Sequence, residues 1–319
     1  MQKLPPGDYA KLAITTATII KAADGDAQVY LQLASQVSYL GSVLAAVKTA
    51  NALEMFAGAT FHPYEANPDD EYGSLLSEMR AVVAKFSSRL LVVSAESGAP
   101  SVRGGYGALG SLPWNETSQA KWNLRRMLGD ISHGQPWMSL FSIADMCYIK
   151  DGKMDVNHKG LLLVNCSLPQ QPVIRPKQAY YGIQFLTTLF DASVKLLSYR
   201  YERTNATDGT TYGLSVAEFV ASGARNGRIL AAWTNGATHP GIPSGRLTMA
   251  EGPTFRTAAL LPNGTAALSD LLLVDVRLGD VYAPDSSVST LPGSIPLYDS
   301  PVILAERPAL PPFAPQIPA

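Results

Sequence analysis

Between residue 6 and about residue 190, stretches with helical periodicity alternate with short apolar segments, and this alternation is the strongest constraint on the fold. The predicted helices lie at 6–22, 38–55, 74–86, 115–131 and 176–190. The predicted strands lie at 28–34, 59–62, 90–95 and 136–142. Strands that alternate with helices predict parallel pairing through right-handed crossovers, with helices on both faces of the sheet. Both a doubly wound sheet and a (β/α)8 barrel fit this pattern.

From about Asp191 the sequence changes to short β-rich segments separated by Gly, Pro, Asn and Asp. These segments are 193–202, 211–221, 228–235, 245–251, 271–283 and 300–307. They predict an antiparallel β-sandwich. We therefore expect three regions, an α/β domain at 1–191, a β-sandwich domain at 192–307 and a proline-rich tail at 308–319.

The composition excludes several classes of partner. With 25 Lys and Arg against 26 Asp and Glu, the net charge of −1 gives no basic surface for nucleic acid or an anionic membrane. No stretch reaches the ~20 apolar residues that span a bilayer. Two cysteines and four histidines, without an HExxH motif, support no metal site.

The residue with the clearest chemical potential is Glu96, which directly follows the apolar run LLVVSA and precedes Ser97 and Gly98. Enzymes with parallel sheets build their sites at the carboxyl ends of strands, and a nearby glycine lets backbone approach a ligand. The position suits a nucleophile or a base. A loop cap or an ion pair with an arginine explains Glu96 equally well from its position alone.

Five motifs occur in an order and spacing that resemble the second half of a retaining glycoside hydrolase of clan A, the 4/7 superfamily of TIM-barrel enzymes. They are TFHPYEANPDDEY at 60–72, VSAESGAPS at 93–101, WNETSQAKWNLRRMLGD at 114–130, NHKGLL at 157–162 and RPKQAYYGIQFLTTLFD at 175–191. In that clan, a (β/α)8 barrel carries an acid/base glutamate after strand four and a nucleophilic glutamate after strand seven. The resemblance makes the segments 59–62, 90–95 and 136–142 strands six, seven and eight. Glu96 then falls on the nucleophile.

The resemblance implies a partial (β/α)8 barrel, formed by strands five to eight with their helices, followed by an appended β-sandwich. It also implies retaining hydrolysis of a β-linked glycoside or polysaccharide, which needs two carboxyl groups ~5–5.5 Å apart and no cofactor. A hydrogen bond from Tyr64 to Glu96 is expected by analogy with the clan. The residues expected to contact sugar are His62, Tyr64, Glu65, Trp137, Phe141 and Asp145.

Four of these expected sugar contacts have a structural alternative. Trp137 also fits barrel packing, His62 before a proline also fits a structural role, and Glu65 and Asp145 also fit loop capping. We interpret the polar residues of the helix at 115–131 as packing or pairing on the outer layer, and Trp233 as core.

The clan's acid/base glutamate has no counterpart in this sequence, because strand four would precede the first predicted helix. We therefore expect a chain that lacks the amino-terminal half of the barrel and is inactive in isolation. The missing half or a second copy in a homodimer would cover the open strand edges. The alternatives are a noncatalytic carbohydrate-binding or assembly protein derived from a glycosidase, and an unrelated parallel-sheet enzyme that uses Glu96 as a base.

Overall fold

The computed structural model describes residues 4–32, 37–69, 72–205, 207, 209, 211–234, 254–256, 271–282 and 294–311. The chain divides into two compact units. The parallel unit comprises Met1–Pro63, Asp70–Ser97 and Gln135–Leu140. The antiparallel unit comprises Tyr64–Asp69, Gly98–Gly134 and Phe141–Ala319.

The parallel unit contains the first three helices and the first four strands of the chain. In chain order they are α1 (Pro6–Ala23), β1 (Tyr30–Gln32), α2 (Val37–Thr49), β2 (Gly58–Phe61), α3 (Tyr72–Ala84), β3 (Leu91–Ser97) and β4 (Met138–Leu140). The alternation predicted from the sequence is therefore present as a mixed α/β fold. The strands pair in parallel in the order β1-β2-β3-β4.

Apolar burial holds the parallel unit together. All four residues of β2 are buried, and side chains of the three helices complete the core around them. Gly58 allows β2 to approach β3, because a Cβ at this position would lie 2.2 Å from the carbonyl oxygen of Leu91. Such a close approach excludes any larger residue without a shift of the backbone.

Two sequence-based boundaries in the parallel unit need correction. The helix predicted at 38–55 ends at Thr49, and a separate 3-10 turn follows at Leu53–Met55. The strand predicted at 90–95 extends to Ser97, so Glu96 is the penultimate residue of β3 rather than the first residue after it. The pleat of the strand, rather than a loop, therefore determines the direction of the Glu96 side chain.

The antiparallel unit contains two helices and twelve strands in the part that the structure describes. They are α4 (Glu116–Ser132), β5 (Met146–Lys150), β6 (Lys153–Asn157), β7 (Leu162–Val164), β8 (Val173–Pro176), α5 (Gln178–Leu189), β9 (Val194–Asn205), β10 (Thr211–Ala221), β11 (Gly227–Thr234), β12 (Thr254–Arg256), β13 (Leu271–Asp275), β14 (Asp280–Tyr282), β15 (Ser294–Pro296) and β16 (Val302–Glu306).

Six of these strands form one antiparallel sheet in the order β14-β13-β16-β11-β10-β9. A separate pair, β12 and β15, contributes Ile295 to the apolar core that lies against this sheet. Trp233 of β11 is fully buried, as predicted. The predicted segment 245–251 and the end of the tail, 312–319, lie outside the described residues.

The region between β4 and α5 differs most from the sequence-based prediction. Two hairpins, β5–β6 and β7–β8, occupy it, and neither was predicted. Pro176 does not begin a helix but ends β8, and α5 begins at Gln178. A disulfide between Cys147 and Cys166, which the cysteine count did not suggest, joins β5 to the segment after β7.

Helix α4 is the most buried helix of the described chain. Asn115 caps it as predicted, since its side chain accepts from the Ser118 N–H while the Ser118 hydroxyl accepts from the Asn115 N–H. Fourteen of the 17 residues of α4 are buried. The polar side chains predicted to pack or pair on an outer layer are buried, and two of them are paired: Lys121 binds Asp299 at 2.5 Å, and Arg125 binds Asp69.

No helix among the described residues is long and apolar enough to cross a membrane.

Candidate functional site

The carboxyl edge of the parallel sheet brings three polar side chains together. Gln32 is the last residue of β1, His62 directly follows β2 and Glu96 lies near the end of β3. Because parallel strands end at the same edge of a sheet, their last residues are neighbours there. The imidazole of His62 lies between the other two side chains, so the structure brings His62 and Glu96 together.

The distances within this group are those of hydrogen bonds. The Nδ1 atom of His62 lies 3.2 Å from Oε2 of Glu96, and its Nε2 atom lies 2.5 Å from Nε2 of Gln32. The hydroxyl of Thr60 donates to Oε1 of Gln32 at 2.9 Å. The side chains of His62 and Glu96 are 26% and 30% exposed, so the carboxylate is held by neighbours and still reachable from solvent.

Trp137 lies just before β4 and contacts Tyr30 of β1 edge-to-face, with ring centroids 5.4 Å apart. β1 and β4 are the two outer strands of the sheet, and in a flat sheet three spacings of ~4.8 Å would separate them. The ring contact thus indicates a concave sheet face on which side chains of both outer strands converge. Met138 pairs with Ser94, which places Trp137 toward the amino end of the sheet relative to Glu96 and favours the packing interpretation.

Tyr64 and Glu65 belong to the antiparallel unit, in the short segment Tyr64–Asp69 that follows β2. The Nζ atom of Lys159 lies 5.3 Å from the centroid of the Tyr64 ring, a cation–π arrangement. The carbonyl of Glu65 accepts from the indole N–H of Trp122 at 3.0 Å. The hydrogen bond expected from Tyr64 to Glu96 would join residues of different units and stays a prediction.

Buried polar contacts hold the carboxyl-terminal end of the segment Tyr64–Asp69. Asp69 accepts from Nε of Arg125 at 3.0 Å and from the indole N–H of Trp233 at 3.2 Å. Arg125 also donates to the side-chain oxygen of Asn67 at 2.8 Å. Helix α4 and strand β11 together hold the segment that carries Tyr64 and Glu65.

Asp145 lies in a buried ion pair. Its Oδ1 atom accepts from Nζ of Lys177 at 2.6 Å and from the backbone N–H of Gly160 at 3.1 Å, and neither charged side chain is exposed. Lys177 also donates to the hydroxyl of Ser101 at 2.8 Å. Burial lowers the pKa of Lys177, and the hydrogen bond that Lys177 donates to Asp145 opposes that effect. This environment favours a structural role for Asp145 over direct contact with a sugar.

The environment of Gly98 corrects one sequence-based expectation. A Cβ on Gly98 would lie 2.1 Å from the carbonyl oxygen of Phe141, so the glycine admits the protein's own backbone rather than a ligand. Phe141 is half-buried and precedes a cis peptide bond to Ser142. Its expected stacking on a sugar stays a prediction.

The residue that sequence reasoning missed at the carboxyl edge is Gln32. The rule that selected His62 and Glu96, a polar side chain at the end of a predicted strand, applies to Gln32 as well. The strand was predicted at 28–34, so Gln32 was counted as an interior strand residue, whereas in the described residues β1 is Tyr30–Gln32. Among the described residues, no group of three or more His, Cys, Asp and Glu could hold a metal ion.

The group Gln32–His62–Glu96 has the chemistry of a site for a nucleophile or a base. A carboxylate that accepts a hydrogen bond from an imidazole and remains partly exposed can attack an electrophilic carbon or remove a proton.

Comparison with solved structures defines the class of fold. No family model and no curated protein matches the sequence. Solved structures do match it, among them glycoside hydrolases of families 39 and 51. At identities of 10–17%, this likeness shows the fold alone.

A family 39 glycoside hydrolase from Bacteroides cellulosilyticus WH2 has a TM-score of 0.58 and 17% identity, over 94% of this chain and 55% of its own. The family 51 α-L-arabinofuranosidase from Thermotoga petrophila RKU-1 has a TM-score of 0.55 and 10% identity, over 95% and 62%. AbfB, a family 51 α-L-arabinofuranosidase from Bifidobacterium longum, has a TM-score of 0.55 and 12% identity, over 95% and 63%. The chain spans 55–63% of the lengths of these proteins.

Proposed function

We propose that this chain is part of a retaining glycoside hydrolase in which Glu96 is the nucleophile. The observation that carries the proposal is the position of Glu96, next to the imidazole of His62 at the carboxyl edge of a parallel sheet and 30% exposed. The likeness of the fold to clan A glycoside hydrolases supports the same conclusion.

The proposed architecture is half a (β/α)8 barrel followed by a β-sandwich. Strands β1–β4 would be strands five to eight of the barrel, within residues 1–191, and the sandwich would occupy 192–307 ahead of the tail at 308–319. The parallel strand order and the contact between Tyr30 and Trp137 on a concave face support the barrel. Coverage of 55–63% of the similar hydrolases fits a chain that carries part of their fold.

In the proposed mechanism, Glu96 attacks the anomeric carbon and forms a covalent glycosyl intermediate that water then hydrolyses. His62 orients the carboxylate and contacts the sugar. A second carboxyl group ~5–5.5 Å from Glu96 protonates the leaving oxygen. We propose that this group comes from the missing amino-terminal half or a partner copy. Because general acid catalysis contributes ~10²–10⁴ to the rate, the isolated chain would hydrolyse ordinary glycosides poorly.

Covalent trapping tests the nucleophile without relying on the general acid. A 2-deoxy-2-fluoro glycoside with a dinitrophenolate leaving group needs no protonation of that group, so the reagent reports on the nucleophile alone. Both β-glycosides and α-L-arabinofuranosides are suitable, since the similar family 51 enzymes are α-L-arabinofuranosidases. Mass spectrometry of the full chain should find the added sugar on the peptide that contains Glu96.

Glu96→Gln should abolish the labelling, and Glu78→Gln, which removes an exposed carboxylate on α3 of the same unit, should retain it. A label on a peptide without Glu96, or no label with either sugar class, would contradict the proposal. Binding of the same sugars without any label would instead support the noncatalytic carbohydrate-binding alternative.

A further inference from the structure

We infer that Gln32 fixes the tautomer of His62, so that the imidazole donates its Nδ1–H to Glu96. Four side chains form a continuous series of hydrogen bonds across three strands, from Thr60 to Gln32, then to His62 and finally to Glu96. The catalytic consequence of this arrangement rests on the proposed function, but the tautomer itself does not.

The direction of each hydrogen bond follows from the available protons. A neutral imidazole carries one N–H, and an ionised carboxylate can only accept. Since Nδ1 of His62 lies 3.2 Å from the Glu96 carboxylate, an ionised Glu96 requires the proton on Nδ1. Nε2 is then an acceptor, and the amide nitrogen of Gln32, 2.5 Å away, is its donor.

Thr60 determines which end of the Gln32 amide faces the imidazole. Its hydroxyl, on a side chain that is 4% exposed, lies 2.9 Å from the amide oxygen and 3.4 Å from the carbonyl of Leu31. The hydroxyl donates to the amide oxygen of Gln32, so the amide nitrogen faces His62. A reversed amide would place the lone pair of Nδ1 against the carboxylate, which is tolerable only with an additional proton on His62 or Glu96.

This arrangement matches what a carboxylate nucleophile requires. Oε2 of Glu96 accepts a hydrogen bond from the imidazole, which holds the carboxylate in place. Gln32 is thus a positioning residue that acts through His62. Its effect is analogous to that of groups that orient metal-bound histidines through the opposite ring nitrogen.

Nitrogen-15 NMR of the imidazoles tests the tautomer directly. The chain has four histidines, so a sample labelled at histidine gives few signals, and loss of one set in His62→Gln identifies His62. We expect a protonated Nδ1 and an unprotonated Nε2 in the wild type. Gln32→Glu keeps the shape of the side chain but offers only acceptor oxygens at neutral pH, so Nε2 should become protonated.

Gln28→Leu is the matched control, because Gln28 lies in the same unit, is exposed and bonds only to a local carbonyl among the contacts the structure gives. It should leave the signals of His62 unchanged. Thr60→Val removes the hydroxyl that orients Gln32 and should produce a mixture of tautomers. A wild-type His62 protonated at Nε2, or signals that Gln32→Glu leaves unmoved, would overturn the inference.

The rate of labelling of Glu96 by the fluoroglycoside is the second measurement. Gln32→Glu should slow it roughly tenfold or more, as loss of an orienting group does at other sites, and Gln28→Leu should not. If the tautomer is as expected and no label forms, the glycosidase proposal fails while the role of Gln32 stands. If Glu96 is labelled equally fast in Gln32→Glu, the catalytic consequence of the tautomer is wrong.

Discussion

The two units bury different kinds of side chain. The core of the parallel unit is apolar, and in the described residues every buried Lys, Arg or Asp belongs to the antiparallel unit. There, Lys121, Arg125 and Lys177 each bind a carboxylate of low exposure. Apolar burial contributes in proportion to area, whereas a buried charge depends on one partner. In the parallel unit, we therefore expect the loss of stability to scale with the apolar area that a mutation removes from burial. In the antiparallel unit, we expect a large loss whenever a mutation removes one member of a buried ion pair.

The largest effect is expected where a buried charge loses its partner. Asp69→Leu leaves the guanidinium of Arg125 without its carboxylate and removes an acceptor from Trp233, so it should lower the free energy of unfolding by about 3–5 kcal/mol. Denaturant titration measures the loss. The double variant Asp69→Leu with Arg125→Met removes both charges and should lose less than the sum of the two single variants. Additive losses would show that the pair is not coupled.

A smaller, graded loss is expected in the parallel unit. Leu44 on α2 is 1% exposed, and Leu44→Ala should cost roughly 2–5 kcal/mol through the lost methyl groups and the cavity. Leu12→Ala on α1 is the control, since Leu12 is 55% exposed and the change should stay within about 0.5 kcal/mol. Equal losses for the two leucines would mean that the core does not lie where the structure places it.

Alkaline pH should affect the antiparallel unit through Tyr199 on β9. Burial raises the pKa of Tyr199 to about 12, and a hydrogen bond with Ser215 opposes the effect. The folded state therefore keeps a proton that the unfolded chain loses near pH 10. The resulting stability is complete below pH 10 and is lost as the pH rises toward 12.

The rise of the pKa of Tyr199 from 10.0 to about 12 corresponds to about 2–3 kcal/mol. Urea titrations at pH 9, 10.5 and 11.5 should show Tyr199→Phe with a shallower decline than the wild type. Tyr201→Phe, on the same strand but 51% exposed, should decline as the wild type does. An unchanged slope in Tyr199→Phe would exclude Tyr199 as the source of the alkaline loss.

The local parts of the fold could be predicted from the sequence, because periodicity and capping act over a few residues. The alternation of strands and helices, the cap at Asn115 and the burial of Trp233 are of this kind. The pairing of Lys121 with Asp299 joins residues 178 positions apart, and no local pattern predicts it. The hairpins β5–β6 and β7–β8 were missed because their short strands resemble irregular loop in sequence.

Two of the three residues of the candidate site could be predicted from the sequence. Glu96 and His62 follow from the rule that parallel strands end at one edge of the sheet. Gln32 was missed because its place beside His62 depends on the register in which β1 pairs with β2, where Gln32 lies opposite Thr60, and the sequence does not reveal that register. The Cys147–Cys166 bridge depends on two segments whose approach the sequence does not reveal.

The sequence of helix α4 should help to identify distant homologues that a comparison of whole chains misses. With 14 of its 17 residues buried, nearly every position faces a neighbour whose size or charge restricts substitution. In an ordinary amphipathic helix, residues on the exposed face can be substituted without disturbing the core. At overall identities of 10–17%, this segment should retain more of its sequence than the rest of the chain, and a search pattern built on it should recognise distant homologues first.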